Sequence, residues 1–111
     1  MTPPFDLGAL TPLLSGMRER VEAVKEKAAE SRYEGQAGGG LVRVTCTGAM
    51  EVTRIEIGPS VQVASDADRS LLEDLVRAAT NDALRQAREA LRDGLSEVAG
   101  GLPIPPGLLG L

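Results

Sequence analysis

The sequence predicts an α+β protein: one helix, three antiparallel strands and a second, long helix, assembled as an obligate dimer. Three observations carry this. Apolar residues recur at helical spacing over Leu14 to Ala28 and again over Leu72 to Val98, whereas residues 32–57 alternate with period two between glycine-marked turns. The second helical stretch runs without proline to about Val98, and at about 1.5 Å per residue it reaches well beyond a three-stranded sheet. The apolar residues are mostly Leu, Val and Ala, with 2% aromatics (Phe5 and Tyr33, no Trp), so 111 residues yield a thin core that two chains would have to share.

Composition removes whole classes of chemistry. The chain has no His and a single cysteine, Cys46, which excludes His-based acid–base work, Cys-His nucleophiles and zinc clusters. One thiol makes no intramolecular disulfide, which fits a reducing, cytosolic compartment. The net charge of -4, taken alone, argues against phosphate binding, although the balance does not say where the charges sit. No apolar run approaches the roughly 20 residues of a membrane span, and Met1-Thr2-Pro3-Pro4-Phe5-Asp6 lacks the regions of a signal peptide. A soluble, intracellular protein is expected, with no membrane and no small-molecule substrate.

The chain divides into a loose, Pro-rich N-terminus (1–10), a folded domain (11–99) and a Gly/Pro-rich apolar tail (100–111) that is either flexible or docks on a partner in extended form. The first helix is expected to begin near Thr11, as N-cap, with Pro12 at its first position. Leu14, Met17, Val21, Val24 and Ala28 then recur at spacings of 3, 4, 3 and 4, which fits either a coiled-coil seam or an ordinary amphipathic helix. Arg18 and Lys25 flank this seam at one heptad position, and Arg20 and Lys27 at another. Such cations either pair with carboxylates of a neighbouring helix or contact phosphate.

Arg32 to Gln36 reads as a strand, Ala37 to Gly40 as a turn, and Leu41 to Thr47 as a strand with Val42, Val44 and Cys46 on one face. Met50 to Ile57 places Thr53, Ile55 and Ile57 on one face. Val52 falls opposite, so either both faces are partly covered or a bulge intervenes. Asp66 or Asp68 is expected to cap the second helix.

The triple glycine fails as a phosphate loop. No Gly-Lys-Ser/Thr comes after it, and the next element is a strand rather than a helix. The carboxylates are spread over helix surfaces and the hydroxyls have no imidazole beside them, so neither an active site nor a cofactor or metal site is expected. The second helix is more informative. At about 100° per residue, Leu72, Leu75, Val76, Ala79, Ala83, Ala87, Ala90 and Gly94 gather into a mostly small seam. Arg77, Asn81, Arg85, Arg88 and Arg92 gather opposite, within an arc of roughly 80°. These arginines could track a phosphate backbone through their planar, bidentate donors. The plainer reading is a solvated face with pairs within the helix: Glu73–Arg77 and Glu89–Arg92 are at favourable spacing, and Asp74 is near Arg77. Leu84, Leu91, Leu95 and Val98 form a second apolar edge.

Glu34-Gly35-Gln36-Ala37-Gly38-Gly39-Gly40-Leu41-Val42-Arg43-Val44-Thr45, then Gly48, Glu51-Val52, Ile55 and Ile57, then Leu72 to Leu84 with its Asn81-Asp82-Ala83-Leu84, and the Gly100-Gly101-Leu102 and Pro-Gly-Leu ending, resemble the YbaB/EbfC family of bacterial nucleoid-associated proteins over residues 12–111. The resemblance implies a homodimer joined through its sheets, with helices projecting as arms that grip double-stranded DNA at low sequence specificity. It also implies a role in nucleoid organisation or expression control, a cytoplasmic, nucleoid location and no enzymatic activity. The sequence departs from the family's Met- and Gln-rich, Lys-containing helix start, since Leu7 to Gly16 is apolar with Gly8, Pro12 and Gly16. DNA contacts are therefore expected from Arg77, Arg85, Arg88 and Arg92, with Arg18, Arg20, Lys25 and Lys27 from the first helix. The alternative is a dimeric protein-interaction module without DNA affinity, using the Leu84/Leu91/Leu95 edge or the tail.

Overall fold

The structure, a computed structural model, describes residues 7–100. The chain order is α1 (Leu7–Glu30), β1 (Arg32–Ala37), β2 (Val42–Thr47), β3 (Val52–Ile57) and α2 (Asp66–Val98). This is the predicted helix, three-stranded antiparallel sheet and long helix. Of the expected loose N-terminus (1–10) and tail (100–111), residues 1–6 and 101–111 lie outside the described residues, whereas residues 7–10 belong to α1.

Helix α1 begins four residues earlier than Thr11. Pro12 therefore lies inside the helix, where its missing N–H removes one bond to the carbonyl four residues back, that of Gly8. The helix tolerates this loss close to its start. At the other end, Ala28 accepts the Gly48 N–H at 2.9 Å, and a β-carbon at Gly48 would stand 2.8 Å from the Ala28 carbonyl carbon. Glycine at that position lets the end of α1 rest on the β2–β3 turn.

The sheet is a meander in the order β1-β2-β3. Between β1 and β2, Gly38, Gly39 and Gly40 all have positive φ, at 65°, 68° and 92°, a conformation that L side chains rarely adopt. The glycine run is thus a backbone requirement of the hairpin. The broken alternation in β3 has a specific cause. Thr45 pairs with Arg54 and Cys46 with Val52, so Thr53 is the extra residue of a β-bulge. Its hydroxyl donates to the Thr45 carbonyl at 3.3 Å. Val52, not Thr53, therefore joins Ile55 and Ile57 on one face. That is the face of Val42, Val44 and Cys46, since cross-strand partners share a side.

Helix α2 packs across β1 and β2. Its N-cap is Ser65 rather than Asp66 or Asp68. The Ser65 hydroxyl accepts the Asp68 N–H at 3.1 Å, while the Asp68 carboxylate accepts the Ala64 N–H at 3.1 Å. Asp68 is occupied with the backbone preceding the cap, and serine fills the capping role equally well. The small seam behaves as its composition predicts: Ala79, Ala83 and Ala87 are fully buried against Val42, Val44 and Cys46. Burial raises the pKa of the Cys46 thiol.

Candidate nucleic-acid interface

The predicted cations occupy two helices. Arg77, Arg85, Arg88 and Arg92 lie on the side of α2 turned away from its buried alanines, where they reach solvent. Arg77 and Arg92 are separated by about 22 Å along the axis, a length comparable to six base-pair steps of a duplex. Arg18, Arg20, Lys25 and Lys27 are exposed on α1, with Arg18 and Lys25 on one flank of its seam and Arg20 and Lys27 on the other.

The four α2 arginines are not equivalent. Arg77 donates to Asp74 at 3.1 Å, within the same turn. Arg85 is clamped between Asp82 at 2.6 Å and Glu89 at 3.2 Å. Glu89 is therefore spent on Arg85 rather than on Arg92, and Asp74 rather than Glu73 is the partner of Arg77. Among the described residues no carboxylate lies within ion-pairing distance of Arg88 or Arg92. The expected ion pairs between α1 cations and α2 carboxylates are likewise absent among the described residues. Lys27, Asp93 and Glu97 line a common groove of about 400 Å³ between the helices without forming an ion pair.

The clamp on Arg85 belongs to a structural latch. The Asp82 carboxylate accepts the Gln36 N–H at 3.2 Å, and the Gln86 side-chain amide donates to the Glu34 carbonyl at 2.8 Å. These bonds satisfy backbone groups on the outer edge of β1, which would otherwise be open to another strand. The Arg85 guanidinium above all, and then the Gln36 N–H, hold the Asp82 carboxyl below the usual carboxylate range. Asp82 and Glu89 in turn raise the pKa of Arg85. Because the Asp82 pKa is depressed on folding, its ionised form stabilises the fold above the unfolded value near pH 4, and that contribution is lost as pH falls through the folded value. Asp82→Asn should remove this part of the acid dependence. An acid-unfolding curve that keeps its wild-type pH dependence in the variant would show that the latch plays no part.

In sequence terms Asp82 had no role beyond its place in the Asn81-Asp82-Ala83-Leu84 motif. The signal was its angular position, on the flank of the helix that meets β1. The apolar edge turns inward in part: Leu84 packs against the core and Leu91 lines the groove between the helices.

A sheet covered on one face by one long helix, with charged helical surfaces facing outward, defines a small α+β scaffold. The YbaB/EbfC DNA-binding family model matches residues 4–102, and the chain belongs to that family. Its fold is similar to that of the uncharacterized protein HP0035 from Helicobacter pylori, with a TM-score of 0.69 and 25% sequence identity, covering 80% of this chain and 91% of that one. No described helix is long and apolar enough to cross a membrane.

Proposed function

We propose that the protein binds duplex DNA as a homodimer with low sequence specificity and contributes to nucleoid organisation or expression control in the bacterial cytoplasm. The observation that supports this best is the solvent-facing arginine side of α2 in a chain of a DNA-binding family. Arg88 and Arg92 are the principal phosphate contacts, because their charges have no carboxylate partner among the described residues. Arg77 adds to them, and Arg85 adds less because it is already held on two sides. Arg18, Arg20, Lys25 and Lys27 supply the contacts from α1. Phosphate contacts of this kind release counterions, so affinity falls steeply with salt. Fluorescence anisotropy with a random duplex at two salt concentrations tests the reading. Salt-sensitive binding is expected, and no binding at low salt would leave only the protein-interaction alternative.

The dimer is supported by what α2 leaves open. Val52, Ile55 and Ile57 lie on the core face of the sheet yet are 38%, 49% and 50% exposed, because α2 stops at β2. The β3 edge is unpaired in the single chain, whereas the β1 edge is latched by Asp82 and Gln86. A second copy joined at β3 would cover that apolar strip and complete the shared core. Ile55→Asp/Ile57→Asp should convert the dimer to a monomer by light scattering. An unchanged mass would refute joining through this face.

A further inference from the structure

We propose that Asn81 reads a base: its amide takes the major-groove edge of adenine while the arginines around it hold phosphates. The inference rests on the DNA-binding reading of α2 and adds to it a source of sequence preference. Within residues 77–92, the outward arc of α2 carries Arg77, Asn81, Arg85, Arg88 and Arg92. Asn81 stands at the centre of that arc. At about 100° per residue, Arg77 and Arg88 lie about 40° and 20° to one side of it, and Arg92 and Arg85 about 20° and 40° to the other. The same arithmetic sets Asn81 within about 20° of the point diametrically opposite the buried seam of Ala79, Ala83 and Ala87. Directly behind it, Ala79 and Ala83 rest on Gly35 of β1, so the sheet leaves the outward side clear.

Nothing in the fold accounts for asparagine at this position. The polar groups around it have structural tasks. The Thr80 hydroxyl donates to the Val76 carbonyl at 2.7 Å, and the Asp82 carboxylate accepts the Gln36 N–H. Gln86, the other amide side chain of α2, donates to the Glu34 carbonyl. Asn81 is exposed and forms no hydrogen bond among the described residues. Asparagine is also a poor residue for a helix interior, because its amide competes for nearby backbone groups. Stability alone would favour alanine or another arginine there.

The chemistry of the amide selects its target. Its oxygen accepts and its nitrogen donates, and adenine offers the reverse pair in the major groove, an N6–H donor beside the N7 acceptor. In the minor groove adenine and thymine both present acceptors, so the same amide would not tell them apart. A major groove about 12 Å wide admits a helix. Asparagine is short, so its amide meets a base edge only when the helix itself enters the groove. The longer arginines, splayed to both sides of Asn81, then reach the phosphates of the two groove walls. Phosphate contacts supply affinity without regard to sequence, and one adenine contact per arm superimposes a modest preference on it.

The test is anisotropy titration of the full chain with two duplexes of one mixed sequence, the second carrying 7-deazaadenine in place of adenine. The substitution removes N7 and leaves the phosphates and the pairing unchanged. Wild type should bind the 7-deaza duplex more weakly by about fivefold or more. Asn81→Ala should bind the two duplexes alike, with the salt dependence of wild type, because the arginines are untouched. A merely structural role for Asn81 would weaken binding to both duplexes and keep their ratio. The proposal is overturned if wild type binds the two duplexes equally, or if Asn81→Ala still discriminates between them. Salt-sensitive binding without discrimination removes the base contact alone, whereas no binding of wild type to either duplex at low salt removes the DNA reading with it.

Discussion

Reversing two charges, Arg88→Glu/Arg92→Glu, is expected to abolish duplex binding while leaving fold and dimer intact. Both side chains face solvent and stand outside the ion pairs of α2, so their replacement breaks none of those pairs. A dimer that uses both arms loses four cations and gains four anions facing the phosphates. The loss should exceed about 100-fold at moderate ionic strength, and in the neutral Arg88→Gln/Arg92→Gln pair the dependence of log affinity on log salt should flatten by up to about 3.6. Arg85→Glu is a poorer probe, since it places a carboxylate between Asp82 and Glu89 and disturbs the β1 latch. Gel-shift titration with circular dichroism and light scattering on the same samples separates the effects. A charge-reversed variant that binds like wild type would remove this face of α2 from the interface.

The legible part of this protein was whatever depends on residue type at fixed spacing. Ala79, Ala83 and Ala87 declare a close-packed seam because their spacing keeps them on one side of a helix and their size admits a neighbouring backbone. The arginine arc comes from the same arithmetic. Features that depend on which of several equivalent groups wins were not legible. Ser65, Asp66 and Asp68 are all competent caps, and only the path of the chain before the helix selects serine. Glu89 is as well spaced for Arg92 as for Arg85, and the choice turns on Asp82 already holding Arg85 nearby. The break in the β3 alternation announced a bulge or a two-sided strand, and pairing with β2 was needed to locate it at Thr53. The start of α1 was not legible because Pro12 reads as a first-turn residue, whereas the Leu7 and Leu10 spacing continues through it.

Gly35→Ala should produce the largest loss of stability among single small substitutions. Gly35 sits in mid-strand opposite Val44, and it is not among the positive-φ glycines, so alanine suits its backbone. The obstacle is space. An added β-carbon would overlap the Ala79 carbonyl oxygen and the Ala83 nitrogen and stand 3.0 Å from the Ala83 α-carbon. All three are helix backbone and cannot rotate away. Helix α2 must therefore lift from β1, which loosens the alanine seam and strains the Asp82–Gln36 and Gln86–Glu34 bonds together. Overpacking of about 1–3 kcal/mol plus two weakened hydrogen bonds of about 1 kcal/mol each gives a cost of about 3–5 kcal/mol, a large share of the stability of a domain this size. Gly39→Ala offers a contrast. Nothing lies within 4 Å of its added carbon, so its cost is the left-handed φ alone, about 1–2 kcal/mol. Urea unfolding monitored at 222 nm compares the two. If Gly35→Ala proves no more costly than Gly39→Ala, the close contact between α2 and β1 does not set the position of the helix on the sheet.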